Sequence, residues 1–367
     1  MKTFVTLFER TANEHLLKDV GMIPYFINKH DDFQASIATC KMSGDYYYLN
    51  DYLENFKVEF IPYRFNNIWI SGILYLFKNS KKIDVLNLYH LKFKTFIDYL
   101  VYKTVNKKGK VYLKLDIGYK AIIKRDGFIK AALYKFFLKH VDYCSAESTF
   151  MVNEIEKKYG VKVSYLSNGF FNFENSEKIK KIDKENIFLT VGRLGTEEKA
   201  TELLLNAFAQ SLNEHNWKLV LVGPIKEEFD TYIENFYKNN PELKSRVIFT
   251  GPIYNKKELQ EYYNRAKVFV LPSKWESFGL VLLEALSCGC YLLGSDRIPA
   301  LRDLIENGKY GQYFEFGSSE KLSNALVDVS KREYNNSQVL NEILYADNNF
   351  RWDKLVDKLV VELKKEI

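Results

Sequence analysis

Short runs of aliphatic and β-branched residues recur down the whole chain, with helix-spaced apolar patterns between most of them. This alternation constrains the fold more than any other feature. FVTLF, SIATC, KVEFIP, IDVLNLYH, KVYLKLDI, VDYCSA and KVSYLS mark strands in the first half, and ENIFLTVG, WKLVLVG, RVIFTG, VFVLP, YLLGS and GQYFE in the second. ATELLLNAFAQSL, KKELQEYYNRA and ESFGLVLLEALS have the spacing of intervening helices. Strands alternating with helices of this length predict parallel sheets covered on both faces. A chain of 367 residues exceeds what one core usually holds, so two such domains are expected. The charged stretch NFENSEKIKKIDKEN separates them. The expected organisation is an α/β chain with two Rossmann-like, doubly wound domains facing a central cleft. Its parts are an N-terminal domain (1–170), a linker (171–186), a second domain (187–348) and a closing helix (349–367).

The first residues, MKTFVTLFERTANEH, lack the apolar core of a secretory signal. The longest apolar runs, such as VLLEALSCG, fall far short of the roughly 20 residues a spanning helix needs, so a soluble, unexported chain is expected. Cys40, Cys144, Cys288 and Cys290 read as buried structural thiols rather than a metal or redox set. The five histidines show no zincin-type spacing, and no metal site is predicted.

Positive charge is concentrated between Lys103 and Lys139, where Asp116 and Asp126 are the only acids. Over 120–139 basic residues alternate with Ile, Phe, Leu and Tyr at helical spacing. Two readings stand: an amphipathic helix on an anionic membrane surface, or a solvated helix with its apolar side in the domain core. No helix-turn-helix, RNP or zinc-finger pattern accompanies the charge, so nucleic acid is not the expected partner.

The strand ends carry the functional signal. ENIFLTV ends in Gly192 and Arg193, with Lys199 just before the next helix; WKLVLV ends in Gly223, RVIFT in Gly251 and Pro252. VFVLP runs into Ser273-Lys274-Trp275-Glu276-Ser277-Phe278-Gly279. Open α/β sheets bind ligands beyond their strand C-termini, and glycines there let backbone amides approach closely. Two cations in the same crevice fit a diphosphate-bearing nucleotide. Glu276 and Glu284 interrupt an otherwise apolar run, as the polar face of a surface helix or as acids facing a ligand at its N-terminus. With the helix starting near Phe278, Glu284 lies about six residues in, roughly 9 Å along the axis. No G-x-G-x-x-G follows the first strand, and no P-loop or G-x-S-x-G elbow occurs.

These residues resemble the retaining nucleotide-sugar glycosyltransferases of family 4, which have the GT-B fold. VGRLGTEEKATELLLNAF resembles the family's basic loop and helix, LVLVGP its second strand, and ESFGLVLLE its E-x7-E motif; SDRIPALRDLIENGKYGQYFE resembles the segment that follows. FRWDKLVDKLVVEL resembles the closing helix that returns to the first domain. The first half matches more loosely. The usual Gly-Gly loop is missing, with only Gly21, supported by Lys18, in its place; Asp116 stands where many relatives carry His, and Ala200 where glycine is common.

The resemblance implies a hexosyl- or N-acetylhexosaminyltransferase that uses a nucleoside-diphosphate sugar, UDP being the expected carrier, with retention and without a metal or other cofactor. Glu276 would bind sugar hydroxyls beside the amides of Phe278 and Gly279, and Glu284 the ribose. Arg193 and Lys199 would neutralise the departing diphosphate. Gly192, Gly223, Pro252, Ile253, Ser277 and Leu280 would complete the donor site. Asp116 is assigned to catalysis from the other domain, and His90, Lys18 and Gly21 to the acceptor side. The expected acceptor is a glycan, lipid-linked or protein-linked chain in surface-glycan assembly, at the cytoplasmic face of a membrane. A sugar-nucleotide epimerase of the same fold, or a degenerate transferase serving as a non-catalytic partner, are the alternatives.

Overall fold

The computed structural model describes residues 1–41, 45–171 and 183–366. Thirteen strands run along the described chain. In the first half they are β1 (Lys2–Leu7), β2 (Phe33–Cys40), β3 (Lys57–Ile61), β4 (Val85–Tyr89), β5 (Lys110–Leu115), β6 (Tyr143–Ala146) and β7 (Ser164–Tyr165). In the second they are β8 (Glu185–Val191), β9 (Lys218–Val222), β10 (Val247–Gly251), β11 (Ala266–Leu271), β12 (Tyr291–Ser295) and β13 (Gly311–Phe314). The α-helices of the first half are α1 (Asp19–Ile27), α2 (Tyr47–Asp51), α3 (Ile68–Asn79), α4 (Phe93–Val105), α5 (Tyr119–Ile123), α6 (Phe128–His140) and α7 (Thr149–Tyr159). Then follow α8 (Thr201–Gln210), α9 (Asp230–Asn239), α10 (Lys256–Arg265), α11 (Leu280–Ser287), α12 (Leu301–Leu304), α13 (Ser319–Ser330), α14 (Asn336–Phe350) and α15 (Trp352–Glu366).

The chain divides into two compact units, Met1–Phe171 with Phe350–Ile367, and Asn172–Asn349. Most of the charged segment expected as a linker lies outside the described residues. Unit 1 holds a parallel sheet in the order β3-β2-β1-β4-β5-β6-β7. One face packs against α3 to α7 through Leu76, Phe96, Tyr102, Phe137 and Ile155. The other face packs against α1 and α15 through Met22, Ile23, Trp352, Leu355 and Leu359. Local signals place the helix ends. Asn67 accepts from the amides of Trp69 and Ile70 to start α3, and Ser148 accepts from Met151 to start α7. Gly160, in the left-handed region at φ 62°, ends α7.

Unit 2 holds a parallel sheet in the order β10-β9-β8-β11-β12-β13. Its order reverses between β8 and β11, which defines the switch point where such sheets open a ligand crevice. Val268, Phe269, Val270 and Leu271 of β11 are buried on both faces, as central parallel strands require. Each such side chain contributes about 1.5–3 kcal/mol by leaving water.

Two helical expectations are corrected. The basic run over 120–139 is two helices, since α5 stops at Ile123 and α6 begins after Gly127. Asp126, between them, pairs with Lys130 and Lys158 and accepts from the Tyr159 hydroxyl, which fixes the break. The helix carrying Glu284 begins at Leu280, two residues later than expected, because Gly279 at φ 87° is its N-cap.

Candidate functional site

The loops after β8 and β11 flank the switch point of unit 2, and two ion pairs join them, Lys274 with Glu197 at 2.6 Å and Lys199 with Glu276. Lys199 Nζ lies 2.5 Å from Glu276 Oε1. Both side chains are largely buried, with 18% and 14% of their surfaces exposed. Ser273 Oγ donates to the same carboxylate oxygen at 2.7 Å. Ser273 is held in turn, since its carbonyl accepts from Ser295 Oγ at 2.5 Å. The backbone ties the loops again: the Lys274 amide donates to the Glu198 carbonyl at 2.8 Å.

Glycine makes this arrangement possible at one position above all. Gly223, with φ 139°, lies so close to the neighbouring loop that a Cβ would meet the Gly192 carbonyl oxygen at 1.9 Å. No side chain fits there. The Gly192 amide donates to Val222 and the Leu194 amide to Pro224, so the loop after β8 continues the sheet's register before turning away. Ala200, N-cap of α8, adopts φ 47° and ψ 43°. That is the left-handed region which costs an L-residue about 1–2 kcal/mol.

Arg193 is not brought onto Glu276. Its guanidinium pairs with Glu198 and is 69% exposed. Phe278 is buried, so its ring is not offered to a ligand. Ser277, Gly279 and Leu280 are half-buried at the start of α11. The first amides of that helix have no intrahelical acceptor, and its dipole places partial positive charge there. Glu284, in the second turn, faces a different neighbour. Its Oε2 accepts from the Tyr263 hydroxyl at 2.8 Å, and Lys256 Nζ lies 3.5 Å from Oε1. The two acids therefore serve separate sides of the α11 N-terminus. Pro252 and Ile253 follow Gly251 at the end of β10, Pro252 exposed and Ile253 half-buried.

In unit 1 the candidates divide. His90 and Asp116, at the ends of β4 and β5, are adjacent: His90 Nδ1 lies 3.1 Å from the Asp116 carbonyl oxygen. The His90 amide also donates to the Lys114 carbonyl, and its φ of 66° marks a sharp departure from the strand. Gly21 is corrected. It does not stand in an open loop but is buried in the first turn of α1, where a Cβ would meet the Leu16 carbonyl oxygen at 2.0 Å. Lys18 is the N-cap of that helix and contributes its carbonyl to the first turn.

The residue patterns did not disclose several partners. Ser273 and Tyr263, which orient the two acids, look like ordinary strand-end and helix residues. Lys114 and Glu147 are buried, Asp19 is half-buried, and the three interact electrostatically with one another and with Asp116. Lys114 Nζ donates to the Leu166 carbonyl at 2.6 Å. Burial pushes the Lys114 ammonium down, opposed by the charges of Asp19, Glu147 and Asp116. Burial likewise raises the carboxyls of Asp19 and Glu147. Glu147 Oε2 accepts from Asn168 at 2.8 Å, while Oε1 has no hydrogen-bond partner. Cys288 and Cys290 are buried free thiols, pushed up to about 12 and about 11 chiefly by burial. Among the described residues, no group of three or more His, Cys, Asp or Glu is placed to hold a metal ion.

Comparison with known proteins bears on this geometry. Residues 171–343 match the family described as glycosyl transferases group 1. A structure of Anabaena Alr3699/HepE in complex with UDP superposes at a TM-score of 0.73, covering 100% of both chains at 15% identity. The two parallel-sheet Rossmann-like units thus have the GT-B architecture, and residues 171–343 are similar to group 1 glycosyl transferases. Among its relatives, N-acetyl-alpha-D-glucosaminyl L-malate synthase of Bacillus anthracis is 24% identical over 291 residues, 76% of this chain and 74% of that one. Alpha-monoglucosyldiacylglycerol synthase of Streptococcus pneumoniae is 26% identical over 315 residues, 80% of this chain and 63% of that one.

Proposed function

We propose that the protein transfers a sugar from a nucleoside-diphosphate sugar, with UDP as carrier, to a hydroxyl of a glycan or lipid-linked acceptor with retention at the anomeric carbon. The observation that carries this reading is the Lys199–Glu276 pair, set across the switch-point loops beside the N-terminus of α11. A diphosphate seated on the first amides of α11 meets partial positive charge from the helix and full charge from Lys199. Arg193, exposed on the same loop, is the second cation for it. Glu276 then exchanges part of its contact with Lys199 for sugar hydroxyls, and a carboxylate accepts two good hydrogen bonds from a diol. Glu284, held by Tyr263, takes the ribose hydroxyls on the other side.

In the reaction the bond between the anomeric carbon and the diphosphate oxygen breaks, and the acceptor oxygen bonds to the same face. The acceptor proton passes to the departing phosphate oxygen. Negative charge grows on the leaving nucleoside diphosphate, where preorganised cations and amides lower the barrier most. Lys199 and Arg193 supply the charge a divalent ion would otherwise bring, so the transfer is expected to proceed in chelator. His90 and Asp116 are assigned to the acceptor. The activity for which the pneumococcal relative is named, synthesis of a glucosyldiacylglycerol, supports a lipid among the acceptors to be tried.

A panel of UDP-, GDP- and ADP-sugars, assayed for hydrolysis and transfer with and without chelator, tests the proposal. Turnover of one UDP-sugar that survives chelation is expected. Binding of no nucleotide sugar at millimolar concentration would refute it.

A further inference from the structure

The outer face of one helical layer of unit 1 has a composition the transfer reading does not use. Helices α3, α4 and α6 lie side by side over the sheet, joined beneath by Leu76, Phe96, Tyr99 and Phe137 in a single buried cluster. Phe96 and Tyr99 of α4 meet Phe137 of α6 at ring separations of 5.5 and 5.2 Å. Having buried that side, each helix still shows large apolar groups on its outer side. Leu74 and Phe77 of α3 are 43% and 55% exposed, and Phe93 of α4 is 57% exposed. Phe128, Ile129 and Phe136 of α6 are 89%, 83% and 48% exposed. Phe128 and Ile129 are therefore almost fully in water, which the core-facing reading of this segment does not explain.

The charge around these groups has one sign. Between Arg64 and Asp142 the sequence holds 17 Lys and Arg against 5 Asp. Of those acids, Asp126 is tied to Lys130 and Lys158, Asp142 to Lys103 and Lys110, and Asp98 is buried with Trp69 Nε1 donating to it. Asp84 accepts from the Thr3 amide. Lys124, Arg125, Lys135 and Lys139 stand exposed beside the aromatic tips. A protein partner large enough to bury this face would have to desolvate several lysines, and interface cores are depleted in charge. A bilayer with anionic headgroups answers both features at once, since apolar tips enter the acyl boundary while the ammonium groups stay at headgroup level.

We propose that α3, α4 and α6 form a docking face for an anionic lipid bilayer, with Phe128 and Ile129 as the inserted tips and the surrounding Lys and Arg as the electrostatic contact. The face is built from unit 1 alone and shares no residue with the donor site of unit 2, so docking does not depend on the transfer reading. No helix among the described residues is long and apolar enough to cross a membrane, and the contact is peripheral.

Co-sedimentation of the full chain with phosphatidylglycerol/phosphatidylcholine vesicles and with pure phosphatidylcholine vesicles tests this. The chain should bind the anionic vesicles, ignore the neutral ones, and release at roughly 0.5 M salt, where screening is nearly complete at headgroup distance. Phe128→Ser with Ile129→Ser, both at exposed positions that leave the core intact, should weaken partition at least about tenfold, as should reversal of Lys124, Arg125, Lys135 and Lys139 to Glu. Phe77→Ser with Phe93→Ser should weaken it severalfold, and unchanged binding in that variant would overturn the three-helix extent of the face. Equal binding to neutral vesicles, no binding to anionic ones, or a dimer in sedimentation that the Phe128 and Ile129 changes dissolve without any vesicle binding would overturn the proposal.

Discussion

Lys199 and Glu276, 77 positions apart, meet at 2.5 Å across the two loops that flank the sheet reversal of unit 2. The contact holds a cation and a carboxylate in one place, so either can be handed to a ligand without leaving the other unpaired in water. Ser273 Oγ donates to the same carboxylate oxygen, a second contact that does not depend on the lysine. Lys199→Ala and Glu276→Ala should each lower kcat/KM at least about 100-fold, the scale of lost electrostatic stabilisation at a leaving group. Melting temperatures should stay within a few degrees of wild type, because neither residue anchors the core. Steady-state transfer assays alongside thermal melts check both halves.

Tyr263 orients Glu284 through a single hydroxyl at 2.8 Å. Tyr263→Phe removes that donor from a buried site without changing the ring's shape. The KM for the donor should rise severalfold with kcat nearly unchanged, the signature of lost ground-state binding. A matching fall in kcat would place Glu284 in the chemical step instead.

Ala200 carries backbone strain that a glycine would relieve. Ala200→Gly removes the left-handed penalty of about 1–2 kcal/mol and gives back part of it as unfolded-chain entropy, about 0.4–1 kcal/mol. Unit 2 should melt about 1–3 °C higher. Gly223→Ala should do the opposite and lower donor affinity as well, since its Cβ would force the Gly192 carbonyl aside. Calorimetry of the two variants separates these effects.

His215 gives unit 2 an acid-sensitive stability. Its Nδ1 receives the Trp217 amide at 3.3 Å and faces an Arg246 guanidinium nitrogen at 3.1 Å, so Nδ1 is the acceptor nitrogen. Burial first, and the Arg246 charge second, push its pKa down to about 4. The unfolded chain binds this proton more readily than the folded one. Stability from this group is complete above pH about 6.5 and is lost as the pH falls toward 4. Denaturant melts between pH 7 and 4 should show a decline that His215→Gln flattens.

All thirteen strands were legible in the sequence, because central parallel strands must be apolar on both faces and their C-terminal glycines punctuate the runs. Arg193, Lys199 and Glu276 were legible as charged residues in the loops after those strands, and Glu284 as an acid within the helix that follows. The start of α11 was not, since ESFGLVLLEALS looks helical throughout and only the left-handed Gly279 decides where the helix begins. Tyr263 was equally hidden, because its role arises from α10 packing beside α11, a tertiary fact with no periodic trace. The break between α5 and α6 turned on Asp126, whose ion pair with Lys158 lies 32 residues away in the chain. Gly21 misled because a helix glycine required by close packing reads the same as a loop glycine required by a ligand.

The central claim is that a nucleoside diphosphate rests between Lys199 and the opening amides of α11. A crystal structure of the protein soaked with UDP tests it most directly. The diphosphate is expected against Lys199 and the 277–280 backbone, with the ribose within hydrogen-bond reach of Glu284. Density for UDP elsewhere, with the Lys199–Glu276 contact untouched and Glu284 turned from any ligand, would contradict it.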